Sequence, residues 1–509
     1  MSILINNATI VNEGRIFDGS VLVVEGRIQQ ILPQGATVAA DEIIDAQGCL
    51  LLPGVIDTHC HFREPGLTEK ADFATESRAA AAGGVTSIVD MPNTVPQTTS
   101  MELLEEKVAM ASEKSVVNYG FMLGATNDNI EQILEADPTK FAAIKLFLGS
   151  STGNMLVNDP EKLDLLFSKA KKLIVAHCET EGIIKANQQQ YKSQYGKLSN
   201  ADLEAYNQHL MQEYETMMAE REELESDANT EANKPRLIEN LAELHPLIRN
   251  TQACYLSTYH AIERALKYNT RFHVAHISTA TELSLLGPQK LEEKHITAEV
   301  TPNHLWFDDR DYKRLGNLIK CNPAIKSNDD RLALWAALYD GLIDTIGSDH
   351  APHTFESKQQ HYFDAPGGIP SIQHILCMML EMFFNPEALA SAKEEPAEAV
   401  SQLEIVNTQL IQDWLPLIVE KMSHNPATLF GLKDRGFIRE GYWADLVLVR
   451  LQVEQNVRKE DLLYKCGWSP LEGEVFHTQV ERTFVNGLQV FGNLSSQFSI
   501  AGKRLEYTK

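Results

Sequence analysis

The sequence predicts an α/β chain, a (β/α)8 barrel flanked by strand-rich termini. Three observations carry that reading. The middle of the chain holds eight short apolar runs, most of them followed by a helix-compatible stretch. The two ends read as short strands separated by turn residues. At 509 residues, 43% of them apolar and 23% charged, the chain has the composition of a globular protein with ample core.

In chain order, the first strands are residues 3–11 and 21–26, with Gly14 and Asp18-Gly19 as turns. The tail matches them, with strands at 444–449 and 480–487 and Asn486-Gly487 as a turn. Residues 1–52 and 436–509 therefore read as one sheet domain made by both ends, with 53–435 inserted between them. The barrel runs are 55–62, 85–91, 118–123, 142–148, 173–178, 271–277, 296–300 and 344–347, and stretches such as 75–82 and 101–114 supply helices. Counting short runs is permissive, so the motifs below carry the rest. Between the fifth and sixth runs, residues 185–243 are rich in Glu, Gln, Asn and Lys, too many for a plain loop. Leu203, Tyr206, Leu210, Tyr214 and Met217 fall at helical spacing, which predicts an acidic helical hairpin burying one face. A lid or a partner surface is the competing reading.

Charge narrows the function classes. Lys and Arg number 45 against 70 Asp and Glu, a net −25, which argues against nucleic acid or an anionic membrane as partner. No run of about 18 apolar residues is present, as a membrane helix requires. The N-terminus lacks the basic and apolar regions of a secretory signal. Seven cysteines without a C-x-x-C pair read as reduced thiols, so a cytoplasmic location is expected.

The sharpest feature is the run from Asp57 through His59, Cys60, His61 and Arg63 to Gly66. Side chains alternate on a strand, so His59 and His61 share a face and can grip one metal ion. His177, His276 and Asp349 each end a later predicted strand. In a parallel barrel those ends converge on the face that carries active sites. Lys145 lies inside the fourth run, where an unpaired ammonium is costly. Two readings stand for it: a lysine that snorkels or pairs with a carboxylate, or an amine carboxylated by CO2 that bridges two metals. A guanidinium two residues past His61, Arg63, suits a bidentate grip on a substrate carboxylate.

The motifs, in order, are H-x-H-x-R-E-P-G at 59–66, G-G-V-T at 83–86, M-P-N-T at 91–94, Lys145, His177, H-x-x-H-I-S-T at 273–279 and S-D-H-A-P-H at 348–353. Together with Asn425-Pro426-Ala427 and 436–445, this order resembles the amidohydrolase superfamily and, within it, the dihydroorotase family. The resemblance implies a barrel with a small β-sandwich from both termini. It implies two Zn2+ ions bridged by carboxylated Lys145 and a hydroxide. One site would take His59, His61, Lys145 and Asp349; the other would take Lys145, His177 and His276. Asp349 would also be the catalytic proton shuttle. Asn93 and His353 would join Arg63 on the substrate carboxylate, while Asn322 and Gly367 would hold the ring.

The implied activity is reversible conversion of dihydroorotate and water to N-carbamoyl-aspartate in pyrimidine biosynthesis. Allantoinase or a hydantoinase-like dihydropyrimidinase is the alternative enzyme, and a non-catalytic scaffold subunit is the alternative outside enzymes. The implied partners are a small-molecule substrate, a second copy of the chain in a dimer, and a carbamoyltransferase. Asn303-His304 departs from the family pattern, as does the length of 185–243. His273, His304, Glu299 and Cys60 are read as structural.

Overall fold

The computed structural model describes residues 1–149, 155–222, 235–384, 412–492 and 500–508. Five strands open the chain: β1 (Ser2–Asn12), β2 (Arg15–Val24), β3 (Arg27–Pro33), β4 (Glu42–Asp45) and β5 (Cys49–Pro53). Barrel strands follow as β6 (Val55–Cys60), β7 (Val85–Asp90), β8 (Asn118–Phe121), β9 (Leu123–Gly124), β10 (Ile144–Phe147) and β11 (Ile174–His177). The barrel ends with β12 (Phe272–Val274), β13 (Ile296–Val300) and β14 (Thr345–Ile346). The chain returns to the first sheet through β15 (Leu446–Asn456), β16 (Val475–Val485) and β17 (Leu488–Phe491).

Both termini share one sheet, as the sequence predicts. Its order is β17-β16-β15-β5-β1-β2-β3, with β4 also on β1. β1 is long enough to pair twice: Ile3–Asn6 lie on β4, and Thr9 and Ile10 on β5. The turn between β16 and β17 needs positive φ at both central residues, and Asn486 (φ 52°) and Gly487 (φ 75°) supply it. Ile5, Ile10, Leu51, Leu446, Leu448 and Phe484 form a separate apolar core on this sheet.

All eight predicted barrel runs form parallel strands at the expected places. β6-β7-β8 pair in parallel, with register shifts between β6 and β7, and β9 through β14 also pair in parallel. β8 and β9 are one strand interrupted at Met122, whose amide still donates to Asp90 O at 3.2 Å. The ring closes where Cys60 bridges His350, with the His61 amide donating to His350 O at 2.8 Å. The strands read as near-continuous apolar runs because helices and the ring interior bury both faces. Every residue of β6, β7 and β10 is buried.

Helix starts follow side-chain caps. The helix expected from residue 75 begins earlier, as Phe73–Ala82, because the Asp72 carboxylate accepts the Thr75 amide. Ser100 caps Met101–Lys114 in the same way. In the 185–243 excursion the structure gives helices Glu181–Tyr195 and Leu203–Glu222. Residues 223–234 lie outside the described residues. The expected buried stripe holds only at its start. Leu203 is buried, Tyr206, Leu210 and Tyr214 are half-buried, and Met217 is exposed, so cover of the stripe thins towards Met217.

Candidate metal centre

The C-terminal ends of the barrel strands meet in one pocket. All eleven residues singled out from the sequence line it: His59, His61, Arg63, Asn93, Lys145, His177, His276, Asn322, Asp349, His353 and Gly367. Phe147, Ala351 and Gly368 complete the wall. β6 ends at Cys60, so Arg63 reaches the pocket from the turn that follows and not from the strand itself. That turn is strained, with Arg63 at φ 66°. His276 (39°) and Asp349 (43°) also have positive φ, and such conformations in non-glycine residues cluster at functional sites.

The hydrogen bonds around the imidazoles decide which nitrogen faces inward. His59 Nδ1 donates to Glu299 Oε1 at 2.6 Å, and His61 Nδ1 donates to Asn93 Oδ1 at 2.8 Å. Each ring therefore turns an Nε2 lone pair towards Asp349 Oδ1, at 3.5 Å for His59 and 3.2 Å for His61. Three acceptors that face one another in this way ask for a cation. Their ligand atoms lie within 4.8 Å of one another, close enough to share one ion. Across the pocket, His177 Nε2 donates to Glu179 Oε2 at 2.8 Å, which leaves Nδ1 facing His276 Nε2 at 3.0 Å. The His59 and His276 rings are 5.1 Å apart, so the two groups adjoin.

Three atoms of the lining residues are buried without a hydrogen-bond partner: Lys145 Nζ, His276 Nδ1 and Asn322 Oδ1. An orphaned buried polar group of this kind marks a missing partner, and the donor set of imidazoles and a carboxylate is that of a metal site. The residues fit a metal. Burial pushes the Lys145 ammonium down to about 8 and the His61 imidazole down to about 4. Burial alone would raise the Asp349 carboxyl, but His59, His61 and Lys145 outweigh it and hold it well below the usual carboxylate range. A neutral imidazole and an ionised carboxylate are the forms that bind metal.

Glu299 and Glu179 are functional neighbours that the sequence reading misses. Glu299 lies on β13, two residues beyond Thr297, and its Oε1 also accepts the His276 amide at 3.2 Å. The available signal was a carboxylate inside an apolar barrel strand, which burial forbids without a partner. Glu179 had no such signal, because its second partner, Arg249, lies 70 residues away in sequence. Of the residues read as structural, Glu299 thus stands against the centre, while the other three lie in structural contacts. His273 Nδ1 bonds Thr297 Oγ1 at 2.8 Å, His304 Nδ1 bonds Thr301 Oγ1 at 2.8 Å, and Cys60 packs in the barrel core.

A closed ring of parallel strands with a histidine–carboxylate centre at its mouth defines a metal-dependent hydrolase of the amidohydrolase type. Comparison with known proteins agrees: residues 50–490 match the amidohydrolase family, and the chain belongs to it. Among similar proteins is a dihydroorotase of Methanosarcina acetivorans, 30% identical over 92% of this chain and 88% of that one. A dihydroorotase of Lactobacillus acidophilus is 28% identical over 96% of this chain and 99% of its own length. Among solved structures, the L-hydantoinase (dihydropyrimidinase) of Arthrobacter aurescens superimposes with a TM-score of 0.79 at 25% identity, covering 99% of both chains. The dihydropyrimidinase of Brevibacillus agri shares the fold, with a TM-score of 0.78 at 22% identity over 100% of both. No described helix is long and apolar enough to cross a membrane.

Proposed function

We propose that the protein is a dihydroorotase, a metal-dependent cyclic amide hydrolase that interconverts dihydroorotate and N-carbamoyl-aspartate. The observation that carries this reading is Arg63 fixed at the rim of the metal-ligand cluster. Its Nε donates to Pro352 O at 3.1 Å and its Nη2 to His353 Nε2 at 3.2 Å, so the edge that carries Nη1 is left for a substrate carboxylate. Dihydroorotate carries a carboxylate on the same ring as the amide to be cleaved; allantoin and simple hydantoins carry none. Asn322 Oδ1 is buried without a partner, ready to accept a ring N–H. Gly367 keeps that wall open, since a Cβ there would meet the Asn322 side chain at 2.9 Å.

Two zinc ions are the proposed metals. His59, His61 and Asp349 would hold one, His177 and His276 the other, and Lys145 as a carbamate would serve both. When bound, such ions supply Lewis acidity and a water acidic enough to attack near neutral pH. The rest falls to the chain. Arg63 and Asn322 orient the ring so that its amide carbon faces the cluster. Asp349 takes a proton and passes it to the ring nitrogen as the C–N bond breaks, and the reverse order closes the ring. Lys145, with its ammonium pushed down to about 8, has a neutral fraction whose nitrogen attacks CO2 and loses a proton to become the carbamate. A cytoplasmic dimer with a carbamoyltransferase as partner enzyme belongs to the same reading.

The Arthrobacter structure favours a second reading, a hydantoinase-like amidase. Turnover on dihydroorotate, allantoin and hydantoin separates the two. Dihydroorotate should be the preferred substrate; preference for either neutral ring overturns the proposal. Lys145→Ala should lose both metal and activity, with partial rescue by short carboxylic acids, read by metal analysis and turnover. Retention of full activity in that variant excludes the carbamate.

A further inference from the structure

A second pocket lies behind the candidate metal centre. Gln188, Arg249, Lys320, Asn322, Tyr362 and Gly367 line it, so Asn322 and Gly367 are a wall common to both pockets. Gln188 belongs to the helix Glu181–Tyr195 at the start of the excursion that exceeds the family pattern.

The charge in this pocket does not balance. Arg249 pairs through Nη1 with Glu179, and its Nε and Nη2 atoms have no partner among the described residues. Lys320 is buried, and its Nζ donates to the carbonyls of Tyr362 at 2.7 Å and Ala365 at 2.5 Å. No described carboxylate lies within 4.0 Å of that ammonium; Asp364 acts on it from farther away. Arg249 thus has one carboxylate partner and Lys320 has none in contact, and buried charge without a counter-charge is costly. Burial, with the Arg249 charge adding to it, pushes Lys320 down to about 7, the mark of a cation short of an anion. His245 stiffens the far side, bonding Tyr362 Oη at 2.9 Å and Cys321 O at 2.7 Å.

We propose that this pocket binds a small oxyanion of the phosphate or carboxylate type, and that its occupancy is transmitted to the metal centre. The anion would sit on the unpartnered edge of Arg249 and on the Lys320 ammonium. Transmission runs from Arg249 to Glu179 and from Glu179 Oε2 to His177 Nε2 at 2.8 Å. An anion on the free edge of Arg249 draws guanidinium charge away from Glu179 on the other edge, and Glu179 fixes the His177 ring. The shared wall gives a second route through Asn322, which faces the candidate substrate pocket.

The test is calorimetric titration of the metal-loaded protein with inorganic phosphate, with acetate as the planar probe, on wild type, Gln188→Glu and Lys320→Met. Gln188 takes no part in the proposed chemistry, and a carboxylate at that position supplies the missing anion from the wall. Phosphate should bind wild type at one site and bind each variant at least tenfold more weakly, with metal content unchanged. Phosphate should also change kcat at least twofold in wild type and leave Gln188→Glu unaffected. No binding, or equal binding to wild type and both variants, overturns the site; equal binding would place the anion on the metals. Binding that leaves kcat unmoved overturns the transmission. The kinetic arm rests on the dihydroorotase reading, whereas the calorimetric arm does not, so a chain inactive on dihydroorotate still tests the pocket.

Discussion

Arg63 sits at φ 66°, and two groups on the S-D-H-A-P-H segment, Pro352 O and His353, hold its guanidinium. A backbone strain of about 1–3 kcal/mol is tolerated where surrounding contacts fix it. Arg63→Met should lower kcat/KM for dihydroorotate roughly 10–150-fold, the equivalent of about 1.5–3 kcal/mol for a hydrogen bond to a charged group. Metal content should be unchanged, which separates loss of the clamp from collapse of the centre. Glu299 acts one contact further out, where its carboxylate fixes His59 as the Nδ1–H tautomer. Glu299→Gln keeps an acceptor but removes the charge. Metal affinity, measured by competition with a chelating dye, should fall roughly 10–100-fold. Unchanged affinity would show that the carboxylate does not tune the ligand.

Among the elements, β7 and the helix that follows it hold the metal-ligand strand in place. Asp90, at the end of β7, accepts the Phe62 amide at 2.6 Å, between His61 and Arg63. Lys107, on the helix Met101–Lys114, reaches Asp90 at 2.5 Å and donates to Met91 O at 2.9 Å, next to the Asn93 loop. Both side chains are buried, at 1% and 0% exposure, so neither charge has water to fall back on. Lys107→Met should cost roughly 3–5 kcal/mol, because it leaves Asp90 as an uncompensated buried charge. Denaturant unfolding reads that loss. A cost below about 1 kcal/mol would show that the Lys107–Asp90 pair does not hold the strand in place.

Across the whole molecule, the termini and the barrel are joined by polar contacts as well as by packing. Asp445 accepts from Arg435 and from Asn118 Nδ2 at 3.1 Å, and Thr483 Oγ1 donates to Ala81 O at 2.7 Å. The metals should add to this framework, since they bind the folded ring and not the open chain. At a free metal concentration of about 100 Kd the gain is about 2.7 kcal/mol. Chelation should therefore lower the thermal midpoint, and zinc should restore it; an unmoved midpoint would show that the native state binds no metal. The eight barrel runs, the shared sheet of the two ends, and His59, His61, Arg63, Lys145, His177, His276 and Asp349 were legible in the sequence, because apolar periodicity and short motifs are local along the chain; Asn93, Asn322, His353 and Gly367 entered only through the family resemblance. The reach of the 185–243 helices was not, since helical spacing shows a stripe but not whether anything covers it. Glu299 offered only the signal of a carboxylate in an apolar strand, and its partner His59 lies 240 residues away; Glu179 sits two residues from His177, but the Arg249 that holds its charge lies 70 residues away. Local order along the chain decided which side chains lie at the strand ends, and closure of the ring decided which distant groups, Glu299 and Arg249 among them, complete their surroundings.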